Sequence, residues 1–114
     1  MALYMFRFGY TPETWASLVK NPENREEKVR QMLAESGATL EHLWYAFGDD
    51  DGFALISAPD NITAAAISVA IASSGAFSSF TTSVLLTQDE ALEALEKAGA
   101  VTYAAPGTRE AVPA

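Results

Sequence analysis

The chain has no cysteine. Disulfide bridges, thiol nucleophiles and cysteine-ligated metals are therefore excluded, and a small domain that manages without disulfides fits a reducing cytoplasm. Histidine occurs once, at His42. Basic residues are few and unevenly placed. Arg7, Lys20, Arg25, Lys28 and Arg30 precede position 31, and none falls from Gln31 through Glu96. With a net charge of -8, the chain has no broad basic face for a nucleic-acid backbone or an anionic membrane surface. Long hydrophobic runs are missing too. The longest apolar stretch, Ala64 to Ala72, is interrupted by Ser68 and reaches about half of the ~20 residues a spanning helix needs. The N-terminal MALYMFRFGY has no basic n-region or cleavage motif, so a cytoplasmic location is expected. No P-loop, dinucleotide fingerprint or nucleophile–base pair is present, and Gly99 and Gly107 fall in none of these patterns.

What is there reads as one domain. A chain of 114 residues buries about two-thirds of its unfolded surface and needs no covalent staple. Residues 2–8 alternate as a strand, with Tyr4, Phe6 and Phe8 on one face and Leu3, Met5 and Arg7 on the other. Thr11-Pro12-Glu13 is a helix start: a hydroxyl cap, a proline at the first helical position, an acid in the first turn. Trp15, Leu18 and Val19 form the apolar side of that short helix. Asn21-Pro22-Glu23 repeats the start signal and opens the main first helix, which carries Val29, Met32 and Leu33 and ends at Gly37. Residues 39–47 form a second strand, with Leu40, His42, Trp44 and Ala46 on one face and Glu41, Leu43, Tyr45 and Phe47 on the other. Residues 48–52 make a hairpin turn and 53–58 a third strand.

Pro59 breaks that strand and Asp60 caps the next helix, about residues 60–73. It is apolar nearly all round, which predicts burial on more than its sheet-facing side. Gly75 closes it. Residues 77–87 form a hydroxyl-rich fourth strand, and 88–98 a last helix with Leu92 and Leu95 expected inward and Thr87 or Asp89 as its cap. The domain thus spans residues 1–98, and 99–114 read as an irregular tail with Pro106-Gly107 and Pro113. The order β-α-β-β-α-β is the ferredoxin-like α+β arrangement. Strands one to three are apolar on both faces, whereas a sheet with helices on one side needs only one apolar face. A bare surface of Leu, Phe and Trp exceeds what a soluble monomer tolerates, so a homodimer through the face opposite the helices is expected.

The residues with chemistry each have two readings. Tyr4, Tyr10, Trp15, Trp44, Tyr45 and Phe80 either line a pocket for an aromatic ligand or fill the core and the dimer seam. His42, beside Trp44, is either a general base or a structural histidine. Haem is not expected as a cofactor: the only imidazole lies in an apolar row and no cysteine can replace it. Arg7, in the strand that occupies the centre of such a sheet, needs a carboxylate, an anionic ligand or a route to water. It is the only basic residue within a predicted strand, so an anionic group bound at the sheet would depend on it. Asp49-Asp50-Asp51 has the composition of a hairpin turn. Calcium loops space their acids at alternate positions around a glycine, so no metal is expected here.

Taken together, Tyr4, Tyr10-Thr11, Asn21-Pro22 with Arg25, Gly37, Gly48 and Asp51 of a G-x-Y-D turn, Pro59-Asp60, Gly75 and Thr81 resemble the GYD domain family, of the dimeric α/β-barrel superfamily. The likeness covers roughly residues 2 to 90. It departs at the turn, where Asp50 replaces the tyrosine. The resemblance implies a ferredoxin-like protomer whose sheet pairs with a second copy to close a barrel, and it places Asp51 facing inward. It implies no established activity; the superfamily includes cofactor-free monooxygenases, isomerases, haem-handling proteins and ligand sensors. The expectation is a cytoplasmic homodimer that binds a small apolar or anionic molecule, without cofactor, in a cleft between sheet and helices. The ligand-binding candidates are Arg7, Tyr10, Trp15, His42, Trp44 and Asp51. The alternatives are a cofactor-free monooxygenase or isomerase acting through His42 or Arg7 on an aromatic or enolisable substrate, and a purely structural dimer.

Overall fold

The computed structural model describes residues 1–107. Its elements are β1 (Ala2–Tyr10), α1 (Pro12–Lys20), α2 (Arg25–Glu35), β2 (Thr39–Tyr45), β3 (Gly52–Ala58), α3 (Asn61–Ala72), β4 (Phe77–Leu85) and α4 (Gln88–Ala98). The four strands form one antiparallel sheet in the order β2-β3-β1-β4. This α+β order is compatible with a ferredoxin-like fold. Residues 99–107 carry neither helix nor strand, and the rest of the expected tail, 108–114, lies outside the described residues. Among the described residues, no helix is long and apolar enough to cross a membrane.

Strand alternation builds the core. Tyr4, Phe6 and Phe8 of β1 face the same way as Ala54, Ile56 and Ala58 of β3. Leu33 of α2 and Ala64 and Ile67 of α3 pack onto them. Each large side chain fully buried here contributes about 1.5–3 kcal/mol. Polar ties fix the layers: the Tyr4 hydroxyl donates to Asn61 Oδ1 at 2.6 Å, and the Ser68 and Thr82 hydroxyls pair at 2.7 Å, joining α3 to β4.

The helix ends follow local chemistry. Thr11, Asp60 and Thr87 are N-caps, and Thr87 forms a reciprocal capping box with Glu90. Gly37, with φ 75°, takes the left-handed turn after α2. One start signal was misread. Asn21-Pro22 ends α1 rather than opening α2: the Asn21 N–H donates to Ser17 O at 2.9 Å, and proline suits the position just past a helix end. Asn24 is the cap of α2, accepting from Glu26 N at 2.9 Å.

Three further expectations are corrected. The register of β2 on β3 shifts between Leu40 and His42, so the two do not share a face. Leu40 pairs with buried Ile56, and His42 pairs with Leu55 on the other side. The extra residue is Glu41, and an inserted residue reverses the alternation beyond it. Second, α3 buries only Ala64 and Ile67; its far side is bare, with Val69 67% exposed. Third, Leu92 and Leu95 of α4 are not inward: they are 57% and 69% exposed, and α4 has no buried residue. Amphipathic spacing fixes which side of a helix is apolar but not whether the same chain supplies something to cover it.

Candidate functional site

The aromatic residues gather at one end of the sheet. Tyr10, the last residue of β1, lies beyond a register shift at Gly9 and pairs with Phe77 at the start of β4. Its ring meets Trp15 edge-on at 5.0 Å and Phe77 at 5.1 Å. Phe8 packs against Phe77 at 5.5 Å, and Tyr45 closes the group 6.0 Å from Trp15.

Asp51 holds this cluster in place. Its Oδ2 accepts the Tyr10 backbone N–H at 2.8 Å and the Trp15 indole N–H at 3.1 Å. Its own N–H donates to Phe8 O at 2.8 Å. One carboxylate thus ties the turn, the end of β1 and α1 together. The next residue, Gly52, sits under the Phe8 ring, and a Cβ there would come 2.8 Å from the Trp44 carbonyl. Only glycine lets the two strands and the ring come this close. On the far side, Thr14 Oγ1 donates to Ala76 O at 2.8 Å and the Thr11 N–H to the same carbonyl at 3.0 Å, fixing α1 against the loop that leads into β4.

Above Tyr10 lies a cleft of about 740 Å³, a volume suited to a small molecule. Its walls are Thr14, Ser17 and Leu18 of α1, Arg25, Val29 and Met32 of α2, Ala70 and Ile71 of α3, and residues 74–77. Glu13 and Glu23 are at its rim. A small apolar hollow of about 50 Å³ adjoins it, among Phe6, Phe8, Leu33, Ile56 and Phe80, with Tyr10, Arg25, Val29, Ile71 and Phe77 common to both.

The electrostatics favour a neutral phenol at Tyr10. Burial, above all, pushes its pKa well above the ordinary tyrosine range, and the nearby Tyr45 hydroxyl, 3.3 Å away, adds to the effect. The Arg25 guanidinium pulls weakly the other way. At the rim, Glu23 is held below the usual carboxylate range, chiefly by its hydrogen bond to Lys28. Its oxygen is 3.6 Å from Arg25, beyond good hydrogen-bond distance.

The expected site residues therefore separate into two groups. Tyr10, Trp15 and Asp51 come together at the cleft end of the sheet. Arg7, His42 and Trp44 do not: all three are exposed, on the face away from the helices. Arg7 alternates with buried Phe6 and Phe8, and the shift at Glu41 carries His42 and Trp44 outward, where their rings stack at 5.0 Å and 15°. Arg7 thus reaches water directly, the third of the routes open to it. Sequence reasoning passed over Arg25 and Phe77 as site residues. Arg25 stood only as a position of family likeness, and Phe77 only as a strand start.

Residues 4–95 match the GYD domain. The match takes in most of the chain, and the chain belongs to the GYD domain family. The crystal structure of MtbAldR shares the fold over 76% of this chain, with a TM-score of 0.59 and 13% sequence identity. The chain spans about half of that protein's length, 54% of it. No curated protein matches the chain.

Proposed function

We propose that this GYD-domain protein binds a small, largely apolar molecule in the cleft above Tyr10, without turnover, and that it does so as a homodimer paired through the open face of its sheet. The observation that carries the reading is the cleft itself. About 740 Å³ of space is lined by Leu18, Val29, Met32, Ile71 and Phe77 together with the hydroxyls of Tyr10, Thr11, Thr14, Ser17 and Ser74, and Arg25 is its one cation beside the acids Glu13 and Glu23. Polar groups set among apolar side chains are what orient a small ligand.

The same geometry speaks against the catalytic alternative. A base for an enolisable substrate must be deprotonated near neutral pH and reach the cleft. Tyr10 is held as a neutral phenol, Oδ2 of Asp51 is already engaged by two N–H donors, and His42 is on the other face of the sheet. The dimer is supported by that other face, where Leu3, Met5, Phe53 and Leu55 are only half-buried among the described residues. Screening a library of small aromatic and aliphatic fragments by two-dimensional NMR tests the reading. The backbone of Tyr10 and the indole of Trp15 should shift and Trp44 should not. Fragments that move only Trp44 and its neighbours would overturn the cleft as the site.

A further inference from the structure

We infer that the cleft selects a monocarboxylate, with Arg25 as the anchor for the carboxylate and the apolar walls holding the body of the ligand; this rests on the cleft being the binding site. The cleft contains three charged groups, Glu13, Glu23 and Arg25. Glu13 belongs to the first turn of α1 and is exposed, where the positive end of that helix stabilises it. Glu23 has a closer partner than Arg25, since Lys28 bonds to the same Oε2 that lies 3.6 Å from the guanidinium. Arg25 is left with its charge incompletely met. Unlike the two acids, it also lines the apolar hollow beside Tyr10.

A guanidinium offers five N–H donors in a planar fork that matches a carboxylate. Exchanging the long contact to Glu23 for a bidentate ligand leaves Glu23 bonded to Lys28, so no acid is stranded. The Tyr10 hydroxyl, held in its protonated form beside Arg25, can donate to the second carboxylate oxygen. Val29, Met32, Ile71 and Phe77 then face the ligand's body. The positive end of α2, which begins at Arg25, favours the same sign of charge.

The test compares three ligands of one shape on the full chain: phenylacetate, phenylacetamide and phenethylamine, titrated by NMR with the Trp15 indole as reporter. Phenylacetate should bind about tenfold more tightly than the amide, as a charge-assisted pair over a neutral one. The amine should be weakest. Arg25→Met, which keeps the aliphatic cover, should bring the acid down to the level of the amide without changing the amide. Arg25→Lys should recover part of the difference, and Tyr10→Phe should lose a few-fold for the acid alone. Should the amide equal the acid, or the amine exceed both, the carboxylate assignment is wrong while the cleft remains the binding site. If none of the three perturbs the cleft at millimolar concentration, while other fragments do, the class is again wrong. If no fragment of any kind does, the binding function itself fails.

Discussion

The two faces of the sheet both carry large apolar side chains and differ in circumstance. Along β3, Ala54, Ile56 and Ala58 are buried, and Phe53, Leu55 and Ser57, between them, are only half-buried. On β1, Tyr4 and Phe6 join residues of α2 and α3 in the buried core, whereas Leu3 and Met5 are half-buried and Arg7 is exposed. Both faces carry large apolar side chains, but among the described residues only one of them is buried under helices. A strand apolar on both sides therefore specifies two contacts. One is made by the fold, and the other is left for the proposed second copy. The open face also carries charge, from Arg7 and Glu41, whereas among the described residues no charged residue is buried.

The sharpest test of that contrast uses adjacent residues. Ile56, with no exposed surface, should cost about 2–5 kcal/mol when changed to alanine, for lost burial and the cavity left behind. Leu55→Ala should cost under about 1 kcal/mol in urea denaturation at a concentration too low for association, because its side chain is still partly in water. Equal losses would show that the two faces do not differ in the monomer.

Next in size is the effect on association. Wild-type protein at micromolar concentration should sediment at twice 12.2 kDa, and Leu55→Asp, placing a charge in the middle of the open face, should yield the 12.2 kDa species with helix content unchanged. A wild-type protein that sediments as a monomer would remove the dimer from the proposed function and leave the cleft as its only support.

At the cleft end, Asp51 should be costly to lose in spite of its place in an acidic turn. Asp51→Ala leaves the Tyr10 backbone N–H and the Trp15 indole without their acceptor, a loss of about 1–3 kcal/mol. The loss should appear together with a change in Trp15 fluorescence, because the indole is freed. Stability lost with an unchanged Trp15 signal would mean that the carboxylate supports only the strand end.

The division between what could be read from the chain and what could not follows the range of the interactions. The caps at Thr11 and Asp60 and the turn at Gly37 were legible because each depends on residues within one helical turn, and for the last helix the choice was narrowed to Thr87 or Asp89. The faces of β1 as far as Phe8 were legible because alternation along that stretch is unbroken. Glu41 was not, since an inserted residue in a strand leaves no mark on composition, and it alone moved His42 and Trp44 off the expected face. Asn21-Pro22 was ambiguous in principle: a cap-like residue followed by proline suits both the beginning of one helix and the end of another. The cleft depended on longer range still. Arg25 opens a helix, Tyr10 ends a strand and Phe77 begins another, and only the closed sheet brings them side by side.

The smallest expected effect is also the one that best isolates position from composition. Asp49, Asp50 and Asp51 are chemically identical neighbours. Asp51 accepts two hydrogen bonds at the root of the cleft, whereas Asp49 is exposed and Asp50 half-buried. The turn needs residues tolerant of tight backbone angles, and asparagine meets that need as well as aspartate. Asp49→Asn and Asp50→Asn, singly or together, should therefore change unfolding free energy by no more than about 0.5 kcal/mol. They should also leave the affinity of any cleft ligand where it was, since neither residue lines the cleft. Three consecutive acids do not have the alternate spacing of a calcium loop, and one of the three already has its Oδ2 taken. Millimolar calcium should accordingly leave the melting temperature of wild type and double variant alike. A rise in melting temperature with calcium, lost in the double variant, would make the turn a cation site and would give Asp49 and Asp50 a role that their exposure does not suggest.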